Sequence, residues 1–305
     1  MKFDQQKKTS IIKSTADLFK KLNINDNTLT FDQKKFLQSE GYLILKSPKF
    51  ISENLTYLKK LCSDLIAKEG SKGGWEGKEK NFKTGKYFEP GSDRLGNLIN
   101  KDEAFGKIIL IPEILAAAYE VIKDDIKISG LNFRNPKKNS GRQAYHIDIF
   151  PRKKNDDNYS GVVCYIYLDD TKIKNGATRI IPKTHKLLGW PEDYIDTSKD
   201  DPREIRTIVK AGTVVILNLN TWHAGAENLS GEDRKTIFLQ IKKRNEPQLL
   251  NYKKFLTNNT KQRLNDFQKY LLAIRKEDTT QKEDSFSVGE FYRKVFGKDR
   301  GALSK

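Results

Sequence analysis

Two stretches of this 305-residue sequence carry side chains whose types and spacing can do chemistry. In "QAYHIDIF" (143–150), His146 and Asp148 stand two residues apart inside an apolar, β-branched run. Side chains of an extended strand alternate between faces, so the pattern puts His146 and Asp148 on one face and Tyr145, Ile147 and Ile149 on the other. Further on, His223 follows an apolar strand in "NLNTWH". The polar turn "ENLSGED" then leads to Arg234, which opens the apolar strand "RKTIFLQIKKR". Antiparallel pairing of these strands would return Arg234 to the neighbourhood of His223. Two neutral imidazoles and one carboxylate on one face of a metal ion leave its other positions open, which is the ligand set of non-haem Fe(II) sites. A planar guanidinium beside it can grip a carboxylate through two parallel hydrogen bonds. The chain has three histidines, and the third, His185, lies in "IPKTHK", outside both patterns.

These side chains need a scaffold, and from about residue 128 the sequence supplies one. "ISGLNFR", "QAYHIDIF", "SGVVCYIYLDD", "ATRIIP", "EIRTIVK", "GTVVILNL", "TWHAGAEN" and "RKTIFLQIKKR" read as short strands separated by turn residues. Strands in that number without long helices between them predict a sandwich or barrel, here a double-stranded β-helix (jelly roll, cupin-like) within a mainly β core flanked by helices, α+β. Ahead of this core, apolar residues at three- and four-residue steps predict helices at 14–22, 30–42, 52–70 and 111–124, and Thr30 with Gln33 predicts a capping box. Helical patterns return after Arg244 in "TKQRLNDFQKYLLAIRKE" and "SVGEFYRKVFG". One domain over 1–305 is expected: a helical flank at 1–127, a core at 128–245 and a helical extension at 246–305. Residues 71–97 interrupt the flank with glycine, lysine and aromatics (Trp75, Phe82, Tyr87, Phe88) and read as a loop that closes over a ligand.

Composition narrows the class. Lys and Arg total 57 against 40 Asp and Glu, a formal net charge of +17, which gathers polyanions and keeps a basic nucleic-acid-binding module as an alternative. Lysine dominates and is spread along the chain rather than gathered in a stripe, so no specific nucleic acid is expected. Cys62 and Cys164 lie far apart and form neither a disulfide framework nor a metal-ligand spacing. No apolar stretch approaches the length of a membrane span and the N-terminus has no apolar leader core, so a cytoplasmic protein is expected.

Three motifs in order, "QAYHID", "YLDDTKIKNGATRIIPKTHK" and "WHAGAENLSGEDRKTIFLQIKKR", resemble the phytanoyl-CoA dioxygenase family of Fe(II)/2-oxoglutarate oxygenases over roughly residues 30–245. The resemblance implies iron held by His146, Asp148 and His223, and 2-oxoglutarate gripped by Arg234 in a pocket to which Tyr165 and Gln143 are assigned. It implies oxidation of a small molecule by dioxygen with release of succinate and CO2, and hydroxylation of an unactivated carbon as the outcome. Related halogenases lack the carboxylate that Asp148 supplies. His185 matches a histidine that is structural in the family, while Lys183 replaces the glycine common in that turn. A cupin-like metal protein without 2-oxoglutarate is a further alternative, and Arg234 discriminates against it. Alternation in "ISGLNFR" sets Arg134 and Asn132 opposite Leu131 and Phe133. Arg134, Arg142 and Trp75 are therefore assigned to the substrate, which is expected to be anionic.

Overall fold

The computed structural model describes residues 12–70 and 91–278. Helix α1 (Thr15–Leu22) starts at Ser14, whose hydroxyl accepts from the Asp17 amide. Helix α2 (Phe31–Glu40) starts at the expected capping box, with the Thr30 and Gln33 side chains satisfying each other's backbone amides. Gly41 ends it at φ 80, a left-handed conformation that glycine adopts without steric cost. The chain then turns straight into strand β1 (Tyr42–Leu45), so Tyr42 is not the end of the helix predicted over 30–42. Helix α3 (Lys49–Glu69) follows. After strand β2 (Ser92–Leu95) come α4 (Glu103–Ile108) and α5 (Pro112–Ile122), the latter with proline at its first turn, where a missing amide proton costs nothing.

Six antiparallel strands form the large sheet in the order β1, β7, β4, β9, β3, β2. Its remaining members are β3 (Ile126–Pro136), β4 (Gly161–Tyr167), β7 (Val214–Asn218) and β9 (Thr236–Lys243). A small sheet runs β6 (Ile205–Arg206), β5 (Arg179–Ile180), β8 (His223–Ala224). Two strands of the large sheet, β1 and β2, thus come from the segment read as a helical flank. Ser92–Leu95 belongs to the sheet rather than to a loop over 71–97. Residues 143–150 form no regular strand, only an isolated bridge between His146 and His223. The helix expected in "TKQRLNDFQKYLLAIRKE" is two, Asn258–Arg263 and Asp266–Leu271, because Asn265 caps a fresh start. "SVGEFYRKVFG" and residues 71–90, including Trp75, Phe82, Tyr87 and Phe88, lie outside the described residues.

Both faces of the large sheet are covered, which explains why "GVVCYIY" is apolar without alternation. Every residue of β4 is buried. Val162, Cys164 and Ile166 face α3, α4, α5 and the C-terminal helices, in one cluster with Leu58, Phe105, Ile114, Leu115 and Leu271. Val163, Tyr165 and Tyr167 point the other way, toward Ile149, Ile180, Val215 and Leu217 between the two sheets. Each fully buried Val, Ile or Leu side chain contributes about 1.5–3 kcal/mol. A third cluster, Tyr145, Ile147, Ile181, Trp222 and Ala224, packs on the small-sheet side.

Strand β3 contains one irregularity. Ile128 pairs with Ile241 and Gly130 with Gln240, so Ser129 is an extra residue, a β-bulge. Ile126 and Ile128 before the bulge and Leu131 and Phe133 after it therefore all reach the helix-side core, and Asn132 and Arg134 turn toward the space between the sheets.

Cys62 and Cys164 are buried free thiols, and burial pushes the Cys62 thiol up to about 12. Such thiols are inert. Among the described residues no helix is long and apolar enough to cross a membrane.

Candidate active site

His146 and His223 meet in an antiparallel bridge between the 143–150 segment and β8. Each ring is fixed by its own chain. His146 Nδ1 lies 2.9 Å from the Ala144 carbonyl and His223 Nδ1 2.9 Å from the Thr221 carbonyl. A carbonyl accepts only from a protonated nitrogen, so both Nδ1 atoms carry hydrogen and both Nε2 lone pairs are left as ligands. Asp148 hangs from the same segment, its amide donating to the Leu219 carbonyl at 2.8 Å, and Asp148 Oδ2 is 3.7 Å from His223 Nε2. One ligand atom from each of His146, Asp148 and His223 lies within 4.8 Å of the others. The predicted alternation holds for Tyr145 and Ile147, which bury on the far side with Trp222, and fails at Ile149, which packs with Val163 and Tyr165 between the sheets because the segment is not a regular strand.

The donor set fits a metal with open positions. Two neutral imidazoles and one carboxylate surround one face, and the histidines are 7% and 3% exposed, a burial at which three polar groups brought together without a cation would be costly.

Arg234 enters the space between the sheets from the turn before β9 and is buried. Its amide donates to Asn135 Oδ1 at 2.9 Å and its Nη1 to Thr178 Oγ1 at 3.3 Å. Thr178 also accepts from the Tyr167 hydroxyl at 3.0 Å, leaving Thr207 Oγ1, 3.0 Å away, to donate to that hydroxyl. Burial pushes the Tyr167 phenol up, so it stays a neutral donor. Thr178 precedes β5, where Ile180 pairs with His223. Two residues of extended chain, about 7 Å, therefore separate the level of His223 from that of the arginine's anchor.

Tyr165 lines the same space, its ring 6.0 Å from that of His223 and 5.0 Å, edge to face, from Phe238. Gln143 Oε1 accepts from the Gly225 amide at 3.1 Å and from Arg134 Nη1 at 3.3 Å, so Arg134 of the large sheet reaches the segment that carries His146. Arg142 goes elsewhere. It donates to the Ser198 carbonyl at 3.1 Å and to Asp200 at 3.0 Å, and Asp200 also takes Arg179 at 2.8 Å. Arg142, expected to meet the substrate, thus takes part in an ion-pair cluster with segment 196–206. Trp75, also assigned to the substrate, is outside the described residues.

His185 is buried, and its Nε2–H donates to the Gln38 carbonyl at 3.1 Å. It ties the end of α2 to the loop behind β8, where the Thr221 hydroxyl donates to the Gly41 carbonyl at 2.8 Å and Thr184 Oγ1 accepts from the Trp222 amide at 2.9 Å. A Cβ on Gly41 would lie 2.3 Å from His185 Nδ1. Lys183, where a glycine was expected, adopts the left-handed conformation at φ 68 that a glycine would favour.

Two residues that hold the site escaped the sequence reading although both sit in the quoted "ATRIIP". Thr178 anchors Arg234. Arg179, fully buried, donates through Nη2 to the Gln143 carbonyl at 2.5 Å and lies 4.6 Å over the Tyr145 ring. An arginine inside an apolar strand is the signal that marks it.

A jelly roll with a His-x-Asp…His face defines the class. The family model for phytanoyl-CoA dioxygenase (PhyH) matches residues 37–236, and the chain belongs to that family. No curated protein sequence matches the chain. Among solved structures, HygX from Streptomyces hygroscopicus with nickel and 2-oxoglutarate bound is 16% identical with a TM-score of 0.58, covering 72% of this chain and 89% of its own. EctD from S. alaskensis with bound Fe is 15% identical with a TM-score of 0.58, covering 74% and 82%. The non-haem α-ketoglutarate-dependent carbocyclase SnoK from nogalamycin biosynthesis is 18% identical with a TM-score of 0.55, covering 73% and 88%.

Proposed function

We propose that the protein is an Fe(II)/2-oxoglutarate-dependent dioxygenase that hydroxylates an unactivated carbon of a small anionic molecule. The observation that carries this reading is the pairing of a His146–Asp148–His223 face with a buried arginine one short strand away. An iron bound there would supply the oxidising chemistry, with dioxygen and 2-oxoglutarate consumed and succinate and CO2 released. The chain's own residues position and exclude. Carbonyls of Ala144 and Thr221 hold the two imidazoles in the ligating tautomer. Arg234, braced by Thr178 and Asn135, presents its fork to the distal carboxylate of the co-substrate. Tyr165 and Gln143 line the space between metal and arginine. Tyr165, Phe238 and Ile149 keep the pocket wall apolar, which limits side reactions with water.

Asp148 supports hydroxylation as the outcome because it supplies the third protein ligand. SnoK, a carbocyclase, is a reminder that this fold carries more than one oxidative outcome. The deciding experiment is succinate formation by anaerobically iron-loaded protein on exposure to air, with and without 2-oxoglutarate. Succinate that requires both iron and 2-oxoglutarate supports the reading. Its absence, together with salt-sensitive binding of DNA or RNA that is indifferent to iron, would replace it with the nucleic-acid-binding alternative.

A further inference from the structure

We infer that Gln240 and Asn132 read a neutral hydrogen-bonding group of the primary substrate, a hydroxyl, amide or lactam carried besides its anionic group. This deepens the dioxygenase reading and rests on it. Strand β4 is buried throughout, and β3 is buried at every residue but Asn132. Short of its end, β9 is partly open only at Phe238 and Gln240. These three residues share the face between the sheets. Asn132 stands opposite Phe238 and Gln240 follows two residues on, while Leu131, Leu239 and Ile241, which alternate with them, lie in the helix-side core. The middle of the sheet thus has an opening floored by a phenylalanine between two carboxamides. It lies beside His223: Phe238 meets Tyr165 edge to face, and the Tyr165 ring is 6.0 Å from that of His223.

Gln240 is the unusual member. Its Oε1 is buried and has no hydrogen-bond partner among the described residues, which costs stability until a ligand supplies the missing bond. The local frame explains the lack. On one side Gln240 pairs with Val163, whose side chain has no polar atom, and on the other with Gly130, which has no side chain. Leu249 walls this end, since a Cβ on Gly130 would lie 2.9 Å from Leu249 Cδ2. The sheet therefore holds a carboxamide in an apolar niche, where an N–H or O–H of the substrate would satisfy it. With the carboxamide turned by half a rotation its NH2 would be buried instead and need an acceptor, so the matching group is one that both donates and accepts. Asn132, the diagonal neighbour of Gln240 at about 7–8 Å across the ladder, can reach the same group. The chemistry describes a molecule with an apolar portion that rests on Phe238 and a hydroxyl, amide or lactam between the two carboxamides. An analogue without that group would leave Gln240 unmatched, which is how a site of this kind discriminates.

Calorimetric titration of the anaerobic Fe(II) protein separates the two readings. Titration with 2-oxoglutarate alone decides the co-substrate assignment. The carboxamide pair is tested with probes that differ by one hydrogen-bonding group, benzamide against acetophenone and δ-valerolactam against cyclohexanone, run with and without saturating 2-oxoglutarate. The member of each pair that carries N–H is expected to bind about tenfold more tightly, and Gln240→Leu is expected to remove that preference. Asn132→Ala is expected to reduce it. Gln240→Leu is also expected to unfold at an equal or higher urea concentration than wild type, because it removes a buried, unmatched polar atom. Equal binding within each pair by the wild type, no binding of either member, or a preference that survives in Gln240→Leu overturns the proposal whatever the 2-oxoglutarate titration shows. A fall in the urea midpoint of Gln240→Leu overturns it by making the carboxamide structural, and a raised 2-oxoglutarate dissociation constant in that variant overturns it by assigning Gln240 to the co-substrate.

Discussion

His146 and His223, 77 positions apart in sequence, exchange backbone hydrogen bonds as a single pair: the His146 amide donates to the His223 carbonyl at 3.0 Å and the His223 amide to the His146 carbonyl at 3.1 Å. The two imidazoles therefore share one rigid peptide frame, with ring centroids 4.4 Å apart. Their spacing is set by sheet geometry rather than by side-chain freedom, which is the preorganisation that a metal site requires.

Replacing Asp148 by Ala removes the only anionic ligand and is expected to abolish Fe(II) binding and succinate formation together. The check is thermal unfolding with and without metal. Wild type gains about 2.7 kcal/mol at a metal concentration a hundredfold above its dissociation constant, and the variant gains nothing.

Arg234→Ala is expected to weaken 2-oxoglutarate by about 2–5 kcal/mol, the cost of losing one partner of a buried charge-assisted pair, while iron affinity changes little. The half-saturating 2-oxoglutarate concentration reads this directly. An unchanged value would assign the distal carboxylate to another cation.

Arg179→Ala is expected to destabilise the fold by about 3–5 kcal/mol, measured by urea unfolding, because it strips a buried guanidinium from Glu204, the Gln143 carbonyl and the Tyr145 ring. Metal affinity should fall as well, since the Gln143–Asp148 segment loses its tether.

His185 gives the stability a pH dependence. Burial lowers its pKa from 6.5 to about 4. Between those values the unfolded chain holds the extra proton and the folded chain does not, so stability falls as pH drops from about 6.5 toward 4, by up to about 3 kcal/mol. Denaturant midpoints at pH 5 and pH 7 are expected to differ less in His185→Gln than in wild type.

The His146–Asp148–His223 cluster was legible because the signal for its first two members is local. A two-residue spacing needs only extended backbone, and residues 143–150 supply that with one bridge and no regular strand. The placement of Arg234 was legible because a mostly polar turn of seven residues returns the chain on itself. What escaped depends on distant partners. Tyr42–Leu45 and Ser92–Leu95 are four-residue strands, too short to show a period, and they are strands because β7 and β3 offer them open edges. Arg142 looked equivalent to Arg134 by charge and neighbourhood. Only the fold brings Asp200, 58 residues away, to claim it. Lys183 shows the reverse case, in which an unexpected residue type takes the conformation of the expected one.

The bulge at Ser129 makes the identity of the pocket a matter of counting. Were Ser129 paired as an ordinary member of the strand, with no bulge, every residue after it would change face, sending Leu131 and Phe133 toward the space between the sheets and Arg134 into the apolar layer beneath the helices. The bulge therefore decides which side chains of β3 line the space between the sheets, and absorbing its extra residue into the ladder would exchange the inside of the pocket for its outside wall.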